Sequence, residues 1–339
     1  MRLLDLIAQG RTDAIRIDGG QVLPGAERFQ DAVRNCPLRY VLADELARCA
    51  TEMAFSDGDH LTSCLDLIRV PAQSLWIEWV DGARRSELPP LGASNPGTGQ
   101  AHRAGALLKA SPKGRQGEMR TFWSTSDELA YVSPVVIRFN LDGNPEKDPS
   151  TDLVARSGFA KVVAPPESGL EEFLDHLQFY FDDEWARYYR ERIETPEGQY
   201  DVMCRNLEGC AFDPPMLFAF LLMLSARNAL PQRPISVDRL NRARQRAGKP
   251  PLLEHVEVSA PLYSASRAGT AAMRESERRS PRLHHVRGHI VRRGAAVYWR
   301  VPHLRGSARL GQVRTRTVEL CFSSQCKETT LRAHKQVRL

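Results

Sequence analysis

Apolar positions change their period several times along the chain. Over residues 26–53, Phe29, Val33, Leu38, Val41, Leu42, Leu46 and Cys49 recur at near-helical spacing. This predicts a small helical unit in the first 70 residues. Pro37 lacks a backbone donor and divides the run into two helices. Residues 74–80, Ser-Leu-Trp-Ile-Glu-Trp-Val, are then aromatic and β-branched, and Asp81-Gly82 follows as a turn signal. Residues 104–110, 119–124 and 132–139 are further strand candidates, and four strands joined by turns predict an antiparallel sheet. Residues 88–100, rich in Pro, Gly, Ser and Asn, read as a loop.

The second half reads differently. Residues 142–169 look like a linker with short ordered pieces, and Ser168 with Glu171 forms a capping-box signature. Leu170, Phe173, Leu174, Leu177, Phe181 and Trp185 then predict one amphipathic helix. Asp213-Pro214-Pro215 starts the next helix, with Asp as N-cap and Pro in the first turn. Its body, residues 216–224, is apolar all round and predicts a buried central helix. Ser236 opens a third helix over residues 237–247, stopped by Gly248 and Lys249-Pro250-Pro251. Its polar face carries Arg239, Arg242, Arg244 and Arg246. Residues 253–259 read as a strand, and residues 260–282, rich in Ser, Ala and Arg, as an exposed linker. Residues 285–291 and 296–301 form a hairpin around Arg292-Arg293-Gly294-Ala295, with a third strand at 313–322. The expected fold class is α+β: N-terminal helices and a small antiparallel sheet over 1–141, a mainly helical part over 142–259, the linker, and a basic β-rich module over 283–339.

Composition sharpens this picture through charge. A net charge of +6 hides a strong segregation. From residue 265 to the end there are 17 Lys and Arg against 4 Asp and Glu, which leaves +13 there and −7 on the rest. Five of the nine histidines also lie in this stretch: His284, His285, His289, His303 and His334. Such segregation points to a polyanion partner or to docking on an acidic surface. No run of about 18 apolar residues exists, so no membrane span is expected. Asp5, Arg11 and Asp13 interrupt what a signal peptide keeps apolar, and a cytoplasmic site is expected. The seven cysteines include no CxxC pair, and the spacings of Cys204 with Cys210 and of Cys321 with Cys326 are too wide for a zinc knuckle. No phosphate-binding, dinucleotide or zinc-protease motif and no nucleophile elbow occurs, so neither a cofactor nor a metal is expected.

The candidate chemistry gathers in the C-terminal hairpin. On one strand His285, Arg287 and His289 share a face, opposed to Val286 and Ile290. Arg292, Arg293, Arg300, His303 and Arg305 extend the basic set, and Trp299 is either a base-stacking platform or the hairpin's apolar filling. Three readings follow. The set binds nucleic acid (DNA or RNA), with Arg on phosphates and an aromatic ring on a base. It works as a metal-independent nuclease, with paired His as acid and base. Or it is structural and docks on the acidic remainder of the chain or on an acidic partner protein, as an inhibitor or adaptor would. Elsewhere, Glu78 between Trp76 and Trp79 is either a buried acid or, the favoured reading, the solvent-facing member of a half-exposed strand, and Asp182-Asp183-Glu184 reads as a solvated helix face rather than a magnesium site.

The run Leu240-Asn241-Arg242-Ala243-Arg244 through Gly248-Lys249-Pro250-Pro251-Leu252-Leu253, then His285-Val286-Arg287-Gly288-His289 and Trp299-Arg300-Val301-Pro302-His303-Leu304-Arg305-Gly306, resembles a group of uncharacterised bacteriophage- and prophage-encoded proteins. The strand Leu75-Trp76-Ile77-Glu78-Trp79 and the segment Arg103-Ala104-Gly105-Ala106-Leu107-Leu108 fit the same pattern. The resemblance implies a phage-related origin and a cytoplasmic site in a bacterial host, and it implies no mechanism.

Overall fold

The computed structural model describes residues 1–13, 25–56, 58–87, 101–125, 128–143, 170–226, 230–260, 282–286, 289–294, 296–300, 303–305 and 307–312. The strand-forming segments of the first 140 residues make the middle of one eight-stranded sheet. Its strands are β1 (Leu38–Leu42), β2 (Ser74–Val80), β3 (Arg103–Ala110), β4 (Gln116–Ser124), β5 (Ala130–Asn140), β6 (Leu177–Phe181), β7 (Gln232–Ile235) and β8 (His255–Val258), in the order β6-β5-β4-β3-β2-β1-β8-β7. From β2 to β5 every neighbouring pair is antiparallel, as the four-strand pattern predicts, and β6 extends the sheet antiparallel to β5. β1 runs parallel to both β2 and β8, so the whole sheet is mixed.

Two expectations are corrected. Near-helical spacing puts Leu38, Val41 and Leu42 in a helix, yet these residues form β1. Pro37 follows the short helix α2 (Gln30–Arg34), and the chain beyond it lies between β2 and β8. Tyr40, Val41 and Leu42 are all buried, so both faces are covered, and an apolar run buried on both faces carries no period to separate strand from helix. The second correction concerns the helix expected from Leu170 to Trp185. It is three elements: α5 (Glu171–Leu174), β6, and α6 (Asp183–Arg192). Leu177, Phe179 and Phe181 alternate with Gln178 and Tyr180, a period of two, and β6 satisfies the backbone groups along the outer side of β5. Asp182 then starts α6 by accepting from the Glu184 N–H at 3.3 Å.

Helices cover both faces of the sheet. On one face Leu3, Leu4, Leu6 and Ile7 of α1 (Leu3–Ala8) and Val33 of α2 pack with Trp76, Leu107, Phe122 and Val132. On the other lies α8 (Asp213–Leu224), the helix that the apolar run predicts, with every residue from Asp213 to Met223 buried. Its rings meet the sheet edge-on, Phe220 at 5.7 Å from Tyr40 of β1 and Phe218 at 5.3 Å from Phe139 of β5. The helix α3 (Asp44–Ser56) packs beside it, and α4 (Gly58–Ser63) and α7 (Pro196–Cys210) complete the helices before α8.

The fold is α+β. Strands from residues 1–141 and from 142–259 belong to the same sheet, so the boundary expected at 142 falls inside one structural unit. Met1–Ala260 together with Arg292–Tyr298 forms that unit, and the remaining C-terminal residues form a second. The C-terminal strands are β9 (Arg282–Val286), β10 (His289–Arg293), β11 (Ala296–Arg300), β12 (His303–Arg305) and β13 (Ser307–Gln312). The linker expected at 260–282 lies outside the described residues over 261–281. The loop at 88–100, most of the linker at 142–169 and the strand at 313–322 likewise lie outside them. Among the described residues no helix is long and apolar enough to cross a membrane.

Candidate functional site

The hairpin forms where the turn residues place it. β10 and β11 pair with each other, and Gly294 between them takes a φ of +60°, a conformation that glycine adopts without strain. Ile290, Val297 and Trp299, apolar positions of this short hairpin, are buried. Trp299 is only 4% exposed, which assigns it to packing and removes it from the base-stacking candidates.

The face expected from His285, Arg287 and His289 does not form as one strand. His285 belongs to β9, whose two edges are taken by β12 and β13, whereas His289 belongs to β10, which pairs with β11. The His285 backbone pairs with Leu304 and the His303 backbone with Val286, while the side chains of His285 and His303 lie outside the described residues. Arg287 lies outside them altogether. His289 is half-buried.

The arginines divide into two kinds. Arg292 is engaged: its two terminal nitrogens meet the two carboxylate oxygens of Asp66 at 2.8 Å each, and one of them also donates to the Ser63 carbonyl at 2.7 Å. Such a bidentate pair fixes orientation as well as charge. Arg293, Arg300 and Arg305 are exposed, and among the described residues no carboxylate pairs with them. The Arg293 guanidinium sits 5.8 Å from the Tyr298 ring centre.

A second basic surface lies in the first unit. The helix α9 (Asp238–Arg246) contains no buried residue. Arg239, Arg242 and Arg246 are exposed, and among the described residues none of them is in an ion pair. The helix is held from its other side. The Asn241 side chain donates to the Leu252 carbonyl at 2.9 Å and accepts from the Leu252 N–H at 2.8 Å, and Arg244 donates to the Pro250 carbonyl at 2.8 Å. Gly248, at a φ of +66°, ends it as the sequence predicts.

Charged groups in the core of the first unit do other work, and the sequence pattern misses them. Glu78 is fully buried, not solvent-facing. Its carboxylate accepts from the Leu3 and Leu4 N–H groups at 2.9 and 3.0 Å and from the Trp76 indole at 3.3 Å, and it pairs with Arg103. It thereby satisfies two donors at the start of α1 that have no helical partner. The signal in the sequence is Gly105, opposite Glu78 in the register: a Cβ there would come within 2.7 Å of the Trp76 ring. Arg84 donates to Asp81 and to Asp213 and lies 5.1 Å from the Trp79 ring centre. Burial pushes Asp213 up to about 6, and the Arg84 charge only partly offsets this. Asp182 is not part of a solvated face either. It accepts from Arg28 at 2.8 Å and from Arg120 at 2.7 Å, and these charges outweigh burial and hold its carboxyl below the usual range. These are ion pairs between elements of the fold. Among the described residues no cluster of His, Cys, Asp and Glu could hold a metal ion. No family description, curated protein or solved structure matches this chain.

Proposed function

We propose that the chain binds nucleic acid through its basic C-terminal part, in the setting of a bacteriophage or prophage in the bacterial cytoplasm. The observation that carries this reading is the set of exposed arginines Arg293, Arg300 and Arg305, without carboxylate partners among the described residues, in a stretch with a net charge of +13. A guanidinium displays a planar fork of donors that matches two phosphate oxygens. Contacts of this kind fix a protein on the backbone without reading sequence. Trp299 and Arg292 have structural tasks in this account, and the exposed arginines carry the affinity.

The test is replacement of Arg293, Arg300 and Arg305 together by Ala, with DNA and RNA affinity followed against salt. Each lost phosphate contact removes about 0.9 from the salt slope on B-form DNA, so a loss of about 2 to 3 is expected with the melting temperature unchanged. Parental affinity and slope in that variant would remove the reading. The alternative of an acidic protein partner draws on one observation, the Arg292 grip on Asp66, which is how a guanidinium of this segment meets a carboxylate. The nuclease reading asks for His285 and His289 on one strand face, and these residues lie on strands of different sheets.

A further inference from the structure

We propose that α9 is a second nucleic-acid contact, one that takes the backbone and groove of duplex DNA. The proposal shares the premise of a nucleic-acid partner with the reading above, but it puts the contact on a different surface.

The helix α9 hides little of its surface. A helix is usually stabilised by burying one face, and a helix of nine residues is marginal alone. This one buries none of its residues, yet it is fixed in place. Asn241 clamps both backbone groups of Leu252, Arg244 holds the Pro250 carbonyl, and the Lys249 N–H returns to the Arg244 carbonyl at 2.9 Å. These bonds tie the helix to the segment at residues 249–252 that follows it, and they leave the side of Arg239, Arg242 and Arg246 uncovered.

What that side shows is specific. At 100° per residue, Arg239, Arg242 and Arg246 fall within about 60° of one another and span about 10 Å along the axis. Lys249, also exposed, follows beyond the helix end. Ala243 borders the arginine stripe and is exposed, and Leu240, about 100° around the helix from Arg239, is 51% exposed. The single carboxylate of the helix, Asp238, sits in its first turn, where the helix dipole favours it and where it flanks Arg242 at one end of the stripe, which leaves the stripe with a net positive charge. A rigid helix about 10–12 Å across fits the major groove of B-form DNA, which is about 12 Å wide. The stripe meets one row of phosphates, and Leu240 and Ala243 face the base edges, where thymine presents a methyl group. The narrow, deep major groove of A-form RNA does not admit such a helix.

The experiment compares four proteins on a short DNA duplex, the corresponding single strand and a duplex RNA, each across a salt series. They are the parent, R239Q/R242Q/R246Q, R239K/R242K/R246K, and R293A/R300A/R305A. Gln has a helix propensity close to that of Arg, so the melting temperature should hold in the first variant. The result expected is a salt slope on duplex DNA smaller by about 2 to 3 in the Gln variant, with the parental slope retained in the Lys variant. The effect on the single strand and on RNA is expected to be smaller. Parental affinity and slope in the Gln variant would overturn the proposal, and the C-terminal reading would stand if R293A/R300A/R305A alone lost them. Loss in the Gln variant with R293A/R300A/R305A unchanged would sustain the proposal and remove the C-terminal reading. Equal loss on all three nucleic acids would overturn the assignment to duplex DNA, and a parent that binds none of them would end both. Should the Gln variant not fold, R242Q alone carries the same test, with a slope change of about 1.

Discussion

Two neighbouring helices of this chain are opposites. From Asp213 to Met223 every residue of α8 is buried, whereas α9 buries none of its nine. The first is held by apolar surface against the sheet, the non-directional force that contributes most to folding. The second is held by a few directional bonds from Asn241 and Arg244. The difference teaches where change is tolerated. What α8 carries cannot be altered without loss of the core, while the outward side chains of α9 contribute little to stability and are open to selection for binding. Charge follows the same division. Glu78, Arg84 and Asp213 are enclosed and paired, and Arg239, Arg242, Arg300 and Arg305 are presented to solvent.

The sharpest way to break this contrast is Leu221→Asp in α8. A carboxylate would enter a fully apolar site, and soluble expression should be lost. A soluble variant with the parental melting temperature would mean that α8 is not core. Next in size is Glu78→Ala, which strands the Leu3 and Leu4 N–H groups and the Arg103 charge in the interior. Denaturant titration should give a loss of about 3 to 5 kcal/mol, and a loss below about 1 kcal/mol would show that α1 does not depend on this carboxylate.

Asp5→Asn refines the account through pH. Burial pushes Asp5 up to about 6, against the pull of the Leu253 N–H bond. The folded state therefore holds this proton more tightly than the unfolded chain does. The stability that Asp5 contributes is fully present below its ordinary value of 3.8 and is lost as pH rises through about 6. Asn keeps an acceptor for Leu253 and does not ionise. Its melting temperature should match the parent near pH 4 and exceed it at pH 7.5, by the equivalent of about 2 to 3 kcal/mol. A constant difference across this range would contradict the argument. The smallest effect is expected for Arg242→Asp on α9, within about 0.5 kcal/mol of the parent in a denaturant titration; a larger loss would mean that α9 is load-sharing after all.

Much of the fold is legible in the sequence, for physical reasons. The apolar run at 216–224, the strand-forming segments of β2 to β5, and Gly248 and Gly294 as stop and turn each act through local chemistry, and each appears where the pattern puts it. What escapes is set by distant partners. β1 is a strand because β2 and β8 flank it, a relation not written in local spacing, and the short period of two in β6 is masked by the helical recurrence of Leu170, Phe173, Leu174 and Leu177 that runs into it. Glu78 reads as exposed because its partners are the Leu3 and Leu4 backbone and Arg103, far away in sequence. In the candidate site the arginines are legible as charge. Which of them are engaged is not, since Arg292 finds Asp66 only in the folded chain.

The central claim is that the exposed arginines serve a polyanion. The most direct measurement is the affinity of the purified parent, first stripped of nucleic acid by a high-salt wash, for a labelled duplex between about 50 and 200 mM salt. The account predicts that log affinity falls linearly with log salt, with a slope of magnitude about 3 or more, as several phosphate contacts require. Absence of binding at the low-salt end, or an affinity that does not change across the series, would contradict it.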